Sequence, residues 1–246
     1  MISQEPSLPL AVPGEASSSH SARFVLLASA AVTVVLYALP FGRFLARPFV
    51  LLSTLAHEMG HGITALLLGG RFQRLLMWSN GSGLAEIDLE GFGRIRQGLS
   101  LAGGLVGPAV AAALCFGLGK TGRGARAVLW GLGFLLLAAQ LLVVRNLFGS
   151  FFVGLLVVGC LLAASRLEPE AAQWVVVFAG VQLALGVFSR AEYLFTPVAR
   201  TPAGVFPSDV SRMQAALFLP YWLWGAVCGA FALAVLAYGV RTYWGR

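Results

Sequence analysis

The stretch Ala56-His57-Glu58-Met59-Gly60-His61-Gly62 lies inside an apolar run over residues 49–68 that is otherwise Val, Leu, Ala, Ile, Met and small polar residues. It holds two of the chain's three histidines. On a helix, positions i and i+4 share a face, so His57 and His61 can both reach one metal ion. Glu58 lies one step round, placed to take a proton from a water activated there. Ionisable groups at membrane depth point to a functional site rather than to packing. The reading of this run as a membrane helix therefore sets both the fold class and the chemistry.

The rest of the chain agrees. Of 246 residues, 58% are hydrophobic and 11% charged, with a mean hydropathy of +0.82. A soluble domain carries about 25% charged residues. Apolar stretches near the roughly 20 residues that cross a bilayer predict spans over 24–39, 47–69, 98–118, 125–144, 149–164 and 172–189. A last helix is expected to begin at Ser208-Asp209, pass Pro220 and continue to about Tyr238. Between the second and third spans, Ser79-Asn80-Gly81-Ser82 is turn chemistry, and it sits between segments that suit a short hairpin. The fold class expected is an all-α polytopic membrane protein of about six to seven transmembrane helices, with a short β-hairpin after the histidine-bearing helix. Residues 1–22, rich in Ser, Pro and Glu, read as a disordered tail; 23–246 read as one membrane-embedded domain.

The net charge of +7 does not indicate nucleic acid. The basic residues are scattered in short loops, for example Arg71 and Arg74, Arg94 and Arg96, and Lys120 to Arg126. That is the pattern of helix-end anchors beside anionic headgroups. The lipid bilayer is the expected partner surface. Cys115, Cys160 and Cys228 fall in apolar spans with no clustered spacing and read as small buried hydrophobes.

A catalytic zinc site commonly uses three protein ligands and one open position. His20 lies in the polar tail, so the third ligand should be a carboxylate: Glu86, Asp88, Glu90, Glu168, Glu170, Glu192 or Asp209. Glu168 and Glu170 flank Pro169 in a turn, and the acids at 86–90 suit a polar hairpin face. Asp209 is the first choice and Glu192 the second; N-capping of the last helix is the competing role for Asp209.

These residues resemble the site-2 protease family of intramembrane zinc metallopeptidases, and more closely its peptidase M-fifty B-like branch. The resemblance rests on the His57–His61 helix followed by Gly69-Gly70-Arg71, and on Ala102-Gly103-Gly104-Leu105-Val106-Gly107-Pro108. It rests also on Arg145-Asn146-Leu147-Phe148-Gly149 and on Ser208-Asp209. It covers about 47–240. It implies Zn2+ held by His57 and His61, Glu58 as catalytic base, and hydrolysis of a peptide bond in a membrane protein or peptide substrate. The host would be a multi-pass protein of a bacterial cell membrane. In one respect the chain departs from the family: well-studied members use an Asp in an NxxPxxxLDG segment, and with Asn146 aligned, Gly154 stands at that position. Asp209 is the substitute expected here. A non-proteolytic metal- or substrate-binding scaffold and, behind it, a transporter are the competing readings. Substrate, membrane orientation and oligomeric state are not encoded in these motifs.

Overall fold

The computed structural model describes residues 15–88, 90–189 and 191–245. The chain runs α1 (Glu15–Ala38), α2 (Gly42–Leu45), α3 (Arg47–Leu67), β1 (Arg71–Met77), β2 (Gly83–Asp88), α4 (Arg94–Leu118), α5 (Gly122–Leu142), α6 (Leu147–Arg166) and α7 (Pro169–Ser189). A 3-10 turn (Ala191–Phe195), β3 (Val198–Thr201), β4 (Gly204–Pro207), α8 (Asp209–Leu217) and α9 (Tyr221–Trp244) complete it. Most of the tail expected over 1–22 lies outside the described residues, and α1 already runs from Glu15.

Helices α4, α5, α6, α7 with the turn after it, and α9 are long and apolar enough to cross a membrane; Ala22–Ala38 is a shorter apolar helix. The chain is thus an integral, multi-pass membrane protein. Its packing follows the membrane pattern, in which helices meet through small residues and large apolar side chains face lipid. Ala109, Ala112, Ala125, Ala164 and Ala172 are fully buried, whereas Leu67, Leu147, Phe151 and Tyr238 are exposed. The three cysteines are free.

Local signals in the sequence explain the element ends. Helix α3 stops in a Schellman motif: the Gly70 N–H donates to the Ala65 carbonyl (2.8 Å) and the Gly69 N–H to Leu66 (3.0 Å), with Gly69 at φ +89°. The hairpin β1–β2 forms as expected, antiparallel from Arg71 opposite Asp88 to Met77 opposite Gly83. Gly81 takes the left-handed conformation its turn needs (φ +92°). The Thr54 hydroxyl donates to the Gly81 carbonyl (2.7 Å), pinning the turn to α3.

The break between α5 and α6 completes this small sheet. The Leu75 N–H donates to the Val143 carbonyl (2.7 Å) and the Arg145 N–H to the Leu75 carbonyl (3.1 Å). The Asn146 side chain accepts from the Met77 N–H (3.1 Å) and donates to the Met77 carbonyl (2.6 Å). The outer edge of β1 is therefore paired rather than bare, which a strand beside lipid requires.

One expectation is corrected. The last helix does not run through Pro220: α8 ends at Leu217, Phe218 takes φ 68°, and α9 restarts at Tyr221 behind Pro220. Proline removes a backbone donor and restrains the residue before it, so it suits a restart better than a helix interior. Between α7 and α8 the chain also forms the antiparallel pair β3–β4, with Val198 opposite Pro207 and Thr201 opposite Gly204.

Candidate metal centre

The centre is built where α3 crosses α4. The crossing is close because both faces are glycine-rich: a methyl group on Gly60 would lie 2.3 Å from the Gly103 carbonyl oxygen, and one on Gly107 would lie 2.5 Å from that of Ala56. A methyl group on Gly104 would fall 2.1 Å from His61 Nε2. The small-residue stretch of α4 over 102–108 thus makes the room in which the imidazole stands.

His57, Glu58 and His61 share the inward side of α3, with Glu58 and His61 buried. His61 Nδ1 lies 2.9 Å from the Ser100 carbonyl oxygen, an acceptor, so Nδ1 carries the hydrogen and Nε2 of the neutral ring presents its lone pair. His61 Nε2 stands 3.2 Å from His57 Nε2.

Asp209 closes the group. Its Oδ2 lies 3.1 Å from His57 Nε2 and 3.2 Å from His61 Nε2. The competing role is filled by its neighbour: Ser208 is the N-cap of α8 and accepts from the Ser211 N–H (3.4 Å), leaving the Asp209 carboxylate free to turn inward. Val210 and Met213, both buried, seat α8 beside Leu101 and Leu105 of α4. Glu192, the second choice, is exposed in the 3-10 turn and does not join the group. Gly154, at the position where the family's Asp was sought, sits on α6 with no neighbouring atom within 4 Å of a methyl group placed there. Glu86 pairs with Arg74 across the hairpin, in keeping with a polar-face role.

Among the described residues, His57, His61 and Asp209 are the one His/Cys/Asp/Glu group able to converge on a metal ion. Three acceptor atoms 3.1–3.2 Å apart repel one another unless a cation or a proton lies among them. With Zn–N and Zn–O bonds near 2.05 Å, the edge of a zinc tetrahedron is about 3.3 Å. The donor set and its spacing therefore fit that ion, with a fourth corner left for a water or substrate.

Two further groups were not marked by the sequence. Glu58 Oε2 accepts from the Ala85 N–H of β2 (2.7 Å), so the hairpin fixes the carboxylate. Gly83 permits the approach, since a methyl group there would lie 2.7 Å from Glu58 Cγ. The Tyr193 hydroxyl donates to Asp209 Oδ2 (3.2 Å), and its ring meets that of His57 edge-on at 5.8 Å. The turn carrying Tyr193 reaches this place because Gly225 of α9 has no side chain; a methyl group there would strike the Leu194 carbonyl at 1.9 Å. In the stretch before α8 the sequence marked only Glu192 and Ser208-Asp209, and nothing local marks Tyr193.

A cavity of about 230 Å³ opens over the group. His57, Glu58 and Tyr193 lie on its wall, with Gly83 at the first hairpin and Val198 to Thr201 of β3 on another side.

No curated protein and no solved structure matches the chain. A sequence model described as peptidase M50B-like matches residues 25–239, which takes in α3, both hairpins and Asp209. The chain belongs to the peptidase M50B-like family, and is a membrane protein of the metallopeptidase kind.

Proposed function

We propose that the protein is a zinc-dependent endopeptidase that cleaves peptide bonds of membrane-associated substrates in a bacterial cell membrane. One observation carries the reading: His57 Nε2, His61 Nε2 and Asp209 Oδ2 converge within 3.2 Å beside the buried Glu58, at the wall of an open cavity.

Zinc bound by these three residues would supply a Lewis acid that polarises the scissile carbonyl and acidifies water. The chain supplies the rest. The Ser100 carbonyl fixes the tautomer of His61, and Tyr193 holds the orientation of Asp209; such outer partners tune ligand strength. Glu58, held by the Ala85 N–H, accepts the proton of the attacking water and passes it to the leaving amine. A helical substrate has to unwind before its carbonyl is exposed. Strand β2 is paired with β1 on one side, and its other edge faces Glu58 through Ala85. An extended substrate segment can pair with the Gly83 end of that edge, which lines the cavity, leaving Ala85 on Glu58.

The test is elemental analysis with a cleavage assay on detergent-purified protein. Wild type should hold near-stoichiometric zinc, lost in His57→Ala and Asp209→Ala but kept in Glu192→Ala. Glu58→Gln should keep zinc and lose cleavage by about 10²- to 10⁴-fold, the usual worth of a general base. Wild-type protein that stays metal-free on reconstitution, or Glu58→Gln that cleaves like wild type, removes the hydrolase reading.

A further inference from the structure

A second, smaller cavity lies next to the catalytic one. It is lined by Tyr37 of α1, Phe49, Val50 and Ser53 of α3, and Gln182, Gly186 and Ser189 of α7. Its outer rim is made of helix ends, namely the last turn of α1, the first turn of α3 and the last residue of α7. That rim is accessible: Tyr37 is 46% and Val50 38% exposed. Its floor is not, since Ser53 and Gln182 are fully buried. Gln182 lies seven residues, about 10 Å, further into the bundle than Ser189.

The floor holds polar atoms that no group among the described residues satisfies. Ser53 Oγ and Gln182 Oε1 are buried and without a hydrogen-bond partner, as is Ser29 Oγ on α1. Their neighbours behave differently. Thr33 donates to the Ser29 carbonyl (2.8 Å) and accepts from Gln182 Nε2 (2.6 Å), so the amide is held with its oxygen left over. Unpaired polar atoms inside a membrane bundle are costly unless water reaches them. The space is about 10 Å³, the room of a single water.

Ser53 and Gly186 line both cavities. Gly186 is what leaves the junction open, because a methyl group there would lie 2.4 Å from Ser53 Oγ. Ser53 stands one helical turn from His57.

We propose that Ser53 and Gln182 form a water-binding site between α1, α3 and α7 that passes water to the catalytic cavity from a second direction. An extended substrate lying over His57 and Glu58 displaces water from the main cavity. A side route through the Ser53–Gly186 junction resupplies the reactant without the substrate leaving. The role of the route rests on the hydrolase reading; its hydration does not.

The experiment separates the two. Gln182→Cys and, as control, Leu183→Cys are made in the full-length chain in detergent and treated with a small cationic methanethiosulfonate. Labelling is read by peptide mass at each cysteine, with the buried native Cys115 and Cys228 as internal references. Only hydrated thiols ionise and react, so position 182 should label at least about tenfold faster than position 183. Equal rates overturn the proposal. Gln182→Leu and Gly186→Ala, which dry or close the route, should then lower kcat on a fluorescein-labelled transmembrane peptide several-fold with KM and bound zinc unchanged. Fast labelling with unchanged kcat in both variants overturns the supply role. If wild type cleaves nothing while position 182 labels fast, the hydrolase reading fails and the water site stands.

Discussion

The two halves of the candidate metal centre are built by opposite means. The α3 half is a helix crossing with no slack, in which Gly60, Gly103, Gly104 and Gly107 bring backbones into contact and leave His61 one place to stand. The Asp209 half arrives across an irregular connection. That stretch is a 3-10 turn and a four-residue strand pair with an exposed rim, and only Ser208, Asp209 and Val210 at its end are buried. The first half is rigid by packing. The second is held at a few points: Tyr193 on Asp209, Ser208 on α8, and the 3-10 turn on Gly225. Substrate-shaping variation is easier to place on the second half, because a change there does not disturb the crossing.

Breaking the crossing should do the most harm. Gly104→Val puts carbon where His61 Nε2 now stands, and over-packing of this kind costs about 1–3 kcal/mol or more. The expected result is loss of stoichiometric zinc in elemental analysis, with the protein still extractable; full retention of zinc would show that the crossing has slack. Tyr193→Phe tests the other half more gently. It removes the hydroxyl that donates to Asp209, and loss of such a partner lowers metal affinity about 10- to 100-fold. Chelator competition measures this, and a variant identical to wild type would make Tyr193 a wall residue alone.

Asn146→Ala separates structure from chemistry. It strips the Met77 N–H and carbonyl of their partners, and stranding such a buried group costs about 1–3 kcal/mol. A lower midpoint of thermal unfolding is expected, with zinc affinity unchanged. Arg200→Ala should be mildest. Arg200 lies exposed on β3 at the cavity wall, so the change should fall on KM, with kcat and zinc content as in wild type.

The α3 half was legible because its information is local. A 3.6-residue period places His57 and His61 together whatever else the chain does. Gly69 ends that helix and Gly81 turns the hairpin, each through the left-handed backbone it adopts. The last helix was misread because hydrophobicity continues across Pro220 while the backbone does not. The second hairpin was missed because β3 and β4 are four residues each, too short for a two-residue period to stand out in sequence. Gly104 stands within the small-residue stretch over 102–108, yet only the neighbouring helix shows that it faces an imidazole.

The sequence by itself determined a helical membrane protein carrying two histidines and a glutamate at metal-site spacing, since composition and helical period are properties of short stretches of chain. It also narrowed the third carboxylate to a few acids. Only the tertiary structure shows which of them stands beside the two histidines. Asp209 is 152 residues from His57 along the chain yet 3.1 Å away in space, and that closure depends on α8 packing against α4, on Ser208 taking the cap, and on Tyr193 reaching over from the 3-10 turn. Non-local contacts of this kind leave no periodic trace, so the fold alone reveals them.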